Sequence, residues 1–272
     1  MKKVASLKYG VVFKKGFCDP EIFTAFIRDI LGLPITIEHV ETEKEFDPPI
    51  GYVKPRFDLF AEDSTHRVIV DIQHARTTDH YDRFLYYHCV ALLEQVANAE
   101  NYCAPLKVFT IVILTSGDRH KTDIAITDFD PHDLQGHPLY EIPHKVIYLC
   151  PKYLTNTTPA PSREWLQAIL DTLDEEVDED QYQRPEIRKL FEAIQRDHIS
   201  PDERARMIDE YHQEELQSTN YAEGKLKGMA ARQAEIAEAL LHKGVAIDII
   251  AETTGFSHAD LLAMQERCRG NE

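Results

Sequence analysis

The chain has 272 residues, 43% of them hydrophobic and 28% charged, which suits a globular protein of one mid-sized domain with an appendage or of two small domains. No run approaches the roughly 18 apolar residues of a membrane helix, and no apolar core follows the basic first residues, so we expect neither a membrane span nor a secretory signal. The five cysteines are far apart and never in CxxC spacing. They indicate free thiols in a reducing cytoplasm and argue against a disulfide framework or a thiolate zinc site.

The net charge of −17 is distributed unevenly along the chain. Residues 1–170 carry 18 Lys and Arg against 23 Asp and Glu, a charge of −5, and residues 171–272 carry 12 against 24, a charge of −12. A protein that binds DNA strongly without sequence preference usually has a basic face. We therefore expect that DNA, as a partner, is bound weakly.

The first part of the chain alternates between helical and strand patterns. A helix is predicted over Pro20–Leu31, where apolar residues recur at helical spacing, Asp19 can cap the first turn and Gly32 ends the pattern. Two strand-like runs follow, Tyr52–Ala61 and Arg67–Gln73. The five polar residues between these runs predict a hairpin turn.

The next part is predicted to contain a helix, a buried strand and two weaker strands. Apolar spacing predicts a helix from about Asp79 to Ala99, and the β-branched run Lys107–Thr115 predicts a central strand. The weaker strands are expected at Ile124–Phe129 and Lys145–Leu149. Beyond them the pattern is helical at 185–196, 201–242, 246–253 and 258–267. This order predicts an α/β fold with a mixed β-sheet flanked by helices.

Composition divides the chain into three parts. We expect residues 1–155 to form the α/β domain, 156–180 an acidic linker region, and 181–272 an all-helical C-terminal region that contributes no catalytic residue. The tail has helix-turn-helix spacing, but residues 246–262 contain no Lys or Arg. A recognition helix needs cations to contact phosphates, so packing or homo-oligomerisation is the favoured role of this region.

Two aspartates on the predicted hairpin form the main candidate site. Asp58 lies in the first strand, and Asp71 and Gln73 lie in the second, where alternation places them on one face and Ile72 on the other. If the register brings Asp58 opposite Asp71, two carboxylates and an amide converge. An aspartate inside the strongly β-forming run RVIVDIQ favours a function. The alternative is a chance pattern in which each aspartate lies on a solvated or edge-strand face.

Two close carboxylates repel each other unless a cation neutralises them, and a divalent ion with oxygen ligands is the usual one. Asp58, Asp71, a backbone carbonyl, here that of Ile72, and water would provide the ligands of Mg²⁺ or Mn²⁺. Such an ion activates a water molecule toward a phosphodiester. Gln73 supplies no charge, but its amide can orient that water. No HxxxH or HExxH pattern points to zinc.

Several segments in this order resemble the PD-(D/E)XK nuclease family transposases, also called recombination-promoting nucleases. They are Phe13-Lys14, the hairpin KPRFDLF to VIVDIQ, the helix DHYDRFLYYHCVALLEQV, the strand TIVILT, the segment IYLCPKYL, and a tail in which EGKLKG precedes GVAIDIIAETTGFSHADLL. The hairpin of that family commonly ends in Glu-x-Gln. Here Asp71-Ile72-Gln73 keeps the carboxylate on a shorter side chain.

The resemblance implies a restriction-endonuclease-like core in residues 1–155 and Mg²⁺-dependent hydrolysis of DNA linked to mobile elements or recombination. It also implies supporting residues. Cores of this type often place a glutamate on the first helix, for which Glu21 is the candidate, although it lies opposite the apolar face of its helix. His74, one residue beyond Gln73, is a candidate for substrate contact.

Arg83 and Tyr87 are four residues apart and therefore lie on one face of the predicted helix. One interpretation is that Arg83 contacts a phosphate and Tyr87 braces it. The other is that Arg83 pairs with Asp79, Asp82 or Asp58.

Two classes of function compete. The leading hypothesis is a metal-dependent DNA endonuclease, favoured by the retention of both aspartates. The alternative is a binding or interaction module that keeps the nuclease fold with weak or lost catalysis, favoured by the acidity and by the lack of a lysine at position 73. A phosphodiesterase acting on a small nucleotide is a third hypothesis.

Overall fold

A mixed sheet of six strands forms the centre of the protein. The structure is a computed structural model that describes residues 1–47, 53–74, 80–96 and 104–269. Its strands are β1 Lys2–Lys3, β2 Glu41–Glu45, β3 Arg56–Glu62, β4 His66–Gln73, β5 Lys107–Leu114, β6 Ile124–Asp128, β7 Lys145–Leu149 and β8 Glu176–Val177. The sheet order is β2-β3-β4-β5-β7-β6, and β1 pairs separately with β8. Strands β4, β5 and β7 are parallel, and the remaining pairs are antiparallel.

Helices cover the sheet and form the rest of the described chain. They are α1 Gly10–Phe17, α2 Pro20–Leu31, α3 His80–Leu93, α4 Ala160–Asp171, α5 Pro185–Ala193, α6 Pro201–His242, α7 Ile247–Thr254 and α8 His258–Arg269. The α/β class predicted from the sequence, a mixed sheet flanked by helices, is confirmed. Beyond Val177 the described residues form helices and turns, apart from one isolated bridge between Gln195 and Val4. None of the described helices is both long and apolar enough to cross a membrane.

The helix predicted over Pro20–Leu31 is confirmed as α2. The Asp19 carboxylate accepts hydrogen bonds from the N–H groups of Glu21 and Ile22, and Gly32 ends the helix with a φ of 65° that a residue with a side chain rarely adopts. The predicted strand residue Tyr52 and the predicted helix residues Asp79 and 97–99 lie outside the described residues.

The sheet separates two layers of apolar packing. On one face, strands β3, β4, β5 and β7 pack with α1, α2, α4 and α5, where the rings of Phe17, Phe26 and Trp165 lie 5.1–6.0 Å apart and are fully buried. On the other face, α3 covers the sheet through Phe84 and Val90. Burial of this much aromatic and aliphatic surface on both faces holds the central strands in one register.

The chain divides into two compact units, Met1–His212 and Gln213–Glu272. The first unit extends past the predicted linker at 156–180, because α4 and α5 pack against α2 and complete the main core. The second unit has a small core of its own, formed by Ala237, Leu241, Ile250 and Leu261.

Candidate active site

The β3–β4 hairpin brings the two predicted aspartates together. Leu59 pairs with Val70 in the antiparallel register, and one further step in that register places Asp58 opposite Asp71. Residues opposite each other in an antiparallel pair lie on the same face of the sheet, with Cβ atoms roughly 5 Å apart. The hairpin therefore sets the two carboxylates side by side.

Reciprocal hydrogen bonds hold this arrangement. The backbone N–H of Asp58 donates to Oδ1 of Asp71 at 3.2 Å, and the backbone N–H of Ile72 donates to Oδ2 of Asp58 at 3.1 Å. Each carboxylate is thus fixed by the backbone of the other strand. The side chain of Ile72 packs against the main core, on the face that the sequence predicts.

Asp71 is the more deeply buried of the two aspartates, with 5% of its surface exposed. Its Oδ2 atom is buried and has no hydrogen-bond partner among the described residues. Burial raises the pKa of Asp71 well above its ordinary value, and the nearby negative charge of Asp58 raises it further. An orphaned, buried carboxylate oxygen next to a second carboxylate has the properties of a cation ligand.

Lys14 on α1 provides a positive charge at this pair. Its Nζ atom lies 3.5 Å from Oδ1 of Asp58 and also donates a hydrogen bond to Oε1 of Glu43 on β2. Burial raises the pKa of Asp58, and the charge of Lys14 opposes that rise. For Glu43 the balance is reversed, because the hydrogen bond and charge of Lys14 outweigh its burial and lower its pKa.

Glu210 on α6 adds a further carboxylate close to Asp58. It accepts hydrogen bonds from the backbone N–H groups of Gly10 at 2.7 Å and Val11 at 3.2 Å, at the positive end of α1. A Cβ atom at Gly10 would lie 3.7 Å from Oε1 of Glu210 and 3.9 Å from Oδ1 of Asp58, so both carboxylates lie beside the first residue of α1. Burial raises the pKa of Glu210, and the charge of Asp58 contributes to that rise.

Gln73 and Arg83 form a contact that the sequence does not predict. Nη2 of Arg83 donates to Oε1 of Gln73 at 2.7 Å. The charge of Arg83 opposes the rise in the pKa of Asp71, which indicates that the guanidinium lies near the aspartate pair. Of the predicted partners of Arg83, Asp79 lies outside the described residues.

Tyr87 is half-buried and packs edge-on against Phe57 and Phe84, with ring centroids 5.6 and 5.8 Å apart. Burial raises its pKa, and the charges of Asp71 and Asp58 contribute. Its ring therefore forms part of the apolar wall beside the aspartates.

The remaining candidates lie at different distances from the aspartates. His74 follows Gln73 and makes a hydrogen bond through Nδ1 to Oγ1 of Thr115, at 2.7 Å. Glu21 is placed on the protein surface, where 66% of its side chain is exposed and its carboxylate pairs with Lys189 of α5. The helix that reaches the aspartates is α1, which precedes the helix of Glu21, so the structure does not bring Glu21 to the site.

The donor set fits a hard divalent ion. Two carboxylates on one face, with the predicted Ile72 carbonyl and water, would supply the oxygen ligands that Mg²⁺ and Mn²⁺ prefer. Among the described residues, no group of three His, Cys, Asp or Glu side chains is already arranged around a common point as a metal centre. An ion at Asp58 and Asp71 would therefore take part of its coordination from backbone and water.

A family model described as PD-(D/E)XK nuclease family transposase matches residues 9–222. The chain belongs to the PD-(D/E)XK nuclease family transposases. No curated protein and no solved structure matches it. The matched range includes the aspartate pair and also Lys14, Glu43 and Glu210. Membership in a nuclease family implies DNA as the substrate, and the sheet and hairpin provide the scaffold on which the aspartates meet.

Sequence reasoning missed Lys14, Glu43 and Glu210 as members of the site. Lys14 is part of a segment that resembles the family, but no spacing in the sequence connects it with the aspartates. Glu210 lies 200 residues after Gly10, so no local spacing connects the two. The available signal is the segment Tyr9 to Lys15, where apolar residues recur and two lysines follow, which is compatible with a short helix.

Proposed function

We propose that this nuclease family member is a Mg²⁺- or Mn²⁺-dependent DNA endonuclease linked to mobile elements or recombination, with Asp58 and Asp71 as metal ligands. The observation that carries the proposal is the buried Oδ2 atom of Asp71, which has no hydrogen-bond partner in the described part of the chain. Most buried polar atoms in natural proteins have a hydrogen-bond partner, and a bound ion or a functional role is one explanation of an unpaired one.

The proposed reaction is hydrolysis of a phosphodiester. When bound, a divalent ion lowers the pKa of a coordinated water and stabilises charge on the phosphate. The water oxygen bonds to phosphorus and the bond from phosphorus to the leaving deoxyribose oxygen breaks. One water proton stays on the new phosphate and the other ends on the leaving oxygen. Nη2 of Arg83 donates a hydrogen bond to Oε1 of Gln73, so Gln73 orients Arg83 on the side of the aspartate pair.

The second candidate function is a DNA-binding module with weak or lost catalysis. Two observations favour it: the neutral Gln73 at the end of β4 and the net charge of −17. Because such a module would use the same surface, only a measurement of cleavage separates it from the enzyme.

The test is substitution of Asp71 by Asn in the full chain. Without metal, Asp71→Asn should raise the free energy of unfolding by about 1–3 kcal/mol, because it removes a buried, uncompensated charge. With Mn²⁺, the parent protein should gain thermal stability and the variant should not, since only the parent binds the ion. Mg²⁺-dependent nicking of supercoiled plasmid should be abolished in the variant.

The matched control is Asp128→Asn, which changes a carboxylate on β6 that pairs with Lys145 at the surface. It should leave nicking and the Mn²⁺ effect unchanged. A parent protein that binds Mn²⁺ but cleaves no DNA would support the binding module. A parent protein that binds no Mn²⁺ at millimolar concentration would rule out the metal site.

We also propose that the protein is cytoplasmic and that residues 181–272 allow it to form homo-oligomers. The support for the first is the spacing of the cysteines, and for the second the exposed apolar side chains of the second unit, among them Leu216, Met229, Ile236, Ile249 and Leu262. The molar mass of the full chain from light scattering tests the second proposal, and a mass of 31.3 kDa at all concentrations would contradict it.

A further inference from the structure

The strand that carries Asp71 ends without a cation. At its last position Gln73 is neutral, while hydrolysis of a phosphodiester develops negative charge on the phosphate that a positioned cation stabilises. The proposed reaction therefore leaves open which residue of the chain supplies a positive charge beside the metal ligands.

The side chain of Lys14 is held beside the two aspartates. Its side chain is 18% exposed, although lysine side chains at a protein surface usually extend into water, and its Nζ atom lies 3.5 Å from Oδ1 of Asp58. Holding four rotatable bonds in one conformation costs about 2 kcal/mol of rotamer entropy, so the ammonium group needs partners to stay there. Asp58 is one partner and Glu43 is the other.

The backbone at Glu43 is shaped for this contact. Thr42 pairs with Leu59 and Lys44 pairs with Phe57, so Glu43 lies opposite Asp58 in the β2–β3 ladder. Its φ is 59°, in the left-handed region that costs a residue with a side chain about 1–2 kcal/mol. Strain of this kind persists where the surrounding structure enforces it. Here the strained backbone places the Glu43 carboxylate where it accepts a hydrogen bond from Lys14.

The neighbouring cations are engaged elsewhere. Arg83 is bound to Gln73, and the side chain of Arg56 is 61% exposed and pairs with Glu43 and Glu45. Lys15, the next residue on α1, pairs with Glu203 at 2.9 Å. Among the described residues, Lys14 is the cation within ion-pair distance of Asp58.

We propose that Lys14 is a catalytic residue whose ammonium group contacts the scissile phosphate, so that α1 supplies the positive charge that position 73 lacks. Glu43 is its positioning residue. The assignment rests on the proposed nuclease function. During hydrolysis Lys14 donates hydrogen bonds to a non-bridging phosphate oxygen and keeps its proton, so it forms no covalent bond and consumes no co-reactant.

The first test compares cleavage by full-length variants. Lys14→Met should lower the rate of Mg²⁺-dependent nicking roughly 100-fold, as the loss of one charge-stabilising donor does in other enzymes. Lys14→Met combined with Gln73→Lys should recover at least about tenfold of that loss, because the charge returns from β4. Lys15→Met, the same substitution one residue away, should cleave like the parent protein. Equal cleavage by Lys14→Met and the parent would overturn the proposal.

The second test does not depend on cleavage. With Ca²⁺ in place of Mg²⁺, binding of a fluorescein-labelled DNA duplex is measured over a range of salt concentrations. Loss of a phosphate contact should lower the salt slope of affinity by about 1 in Lys14→Met but not in Lys15→Met. An unchanged slope in Lys14→Met would show that the lysine is a structural ion-pair partner only. This result stands even if the parent protein proves unable to cleave DNA or bind Mn²⁺, outcomes that would contradict the proposed function and not the contact.

The role of Glu43 is tested by comparing the effect of its substitution in the presence and in the absence of Lys14. Glu43→Gln should lower nicking about tenfold in the parent background and have little further effect in the Lys14→Met background, because it acts through Lys14. Equal effects in the two backgrounds would assign Glu43 a structural role independent of Lys14.

Discussion

Asp71 is buried at a free-energy cost that its neighbours do not offset. Other buried polar groups of the core have partners: Nε1 of Trp165 donates to Oδ2 of Asp29 at 2.6 Å, and Oγ1 of Thr172 donates to the carbonyl oxygen of Ile169 at 2.7 Å. The Oδ2 atom of Asp71 has no such partner among the described residues, and Asp58 adds a like charge. A bound cation would remove both costs, which links the stability of the hairpin to occupation of the site.

The contact between Gln73 and Arg83 leads to a prediction about positioning. Gln73→Ala removes the acceptor that holds Nη2 of Arg83, so we expect nicking to fall about 10- to 100-fold while Mn²⁺ affinity, measured by calorimetry, changes little. If Gln73 acts through Arg83, adding Gln73→Ala to Arg83→Ala should cost nothing more.

The control for this prediction is Gln167→Ala, which removes an exposed glutamine of α4 bonded to Asp171. Additive losses in the double variant would show that Gln73 acts on the substrate or water directly, as its amide group predicts. Loss of Mn²⁺ binding in Gln73→Ala would instead make Gln73 a metal ligand.

At the scale of elements, α3 joins the site to the core beneath it. Arg83 and Tyr87 face the aspartates, and the next residue, His88, is fully buried against β5. Its ring stacks on Phe129 at 5.0 Å with an interplanar angle of 8°. Burial and the neighbouring His144 lower the pKa of His88 to about 3, so the buried imidazole is neutral at pH 7.

The low pKa of His88 predicts that acid destabilises the protein. An unfolded histidine has a pKa near 6.5, so between pH 6.5 and 3 the unfolded chain binds a proton that the folded chain does not. Stability from this group is therefore complete above pH 6.5 and is lost as the pH falls, at up to about 1.4 kcal/mol per pH unit.

Urea unfolding of the parent and of His88→Asn between pH 7 and 4 measures this effect. The variant is expected to be less stable at pH 7 and to lose less stability on acidification. The difference between the two proteins removes the contributions of the aspartate pair, whose raised pKa values act in the opposite direction. His137→Asn, at a histidine whose side chain is 76% exposed, should follow the parent. If the free energy of unfolding falls equally with pH in the parent and in His88→Asn, the prediction is wrong.

Local signals explain which elements the sequence predicts. Helix α2 has a capping aspartate, a proline in its first turn and a terminal glycine, and β5 is a continuous β-branched run. Helix α1 is missed because Tyr9 offers no side-chain cap and two of its eight residues are glycines, which weaken a helix by about 1 kcal/mol each. Strand β2 is missed because its sequence, ETEKE, has four charged residues of low strand propensity and only Thr42 that favours a strand.

The residues of the site also divide into those whose position the sequence predicts and those whose position it does not. Asp58 and Asp71 meet through a hairpin, so alternation and turn position predict their proximity. Lys14, Glu43 and Glu210 reach them through packing of distant segments, which is decided by the tertiary fold and leaves no periodic signal. Glu21 lies on α2, whereas α1, which precedes it in the chain, is the helix that reaches the aspartates.

At the scale of the whole molecule, the first unit ends within α6, just beyond Glu210. The helical pattern and the acidity of the C-terminal region predict that residues after 180 contribute no catalytic residue. Glu210 nevertheless binds the start of α1 next to Asp58, and Glu203 pairs with Lys15. The beginning of α6 thus supports the helix that carries Lys14.

Truncation tests this support. A fragment ending at residue 212 should fold and bind Mn²⁺ like the full chain, whereas a fragment ending at residue 200 should unfold at least about 3 °C lower, because it lacks the carboxylate that caps α1. Glu210→Ala in the full chain is the matched single change and should reproduce part of the loss. Equal melting temperatures for the fragments ending at 200 and 212 would show that α6 does not stabilise α1.

The hydrogen bond between Glu210 and Gly10 spans 200 positions, which has a consequence for synthesis on the ribosome. At about 5–20 residues per second, translation adds Glu210 roughly 10–40 s after Gly10. During that interval the hairpin can pair, but the first turn of α1 has no carboxylate to bind its N–H groups. The geometry around Lys14 is therefore completed late in translation, and chains released before residue 210 lack it.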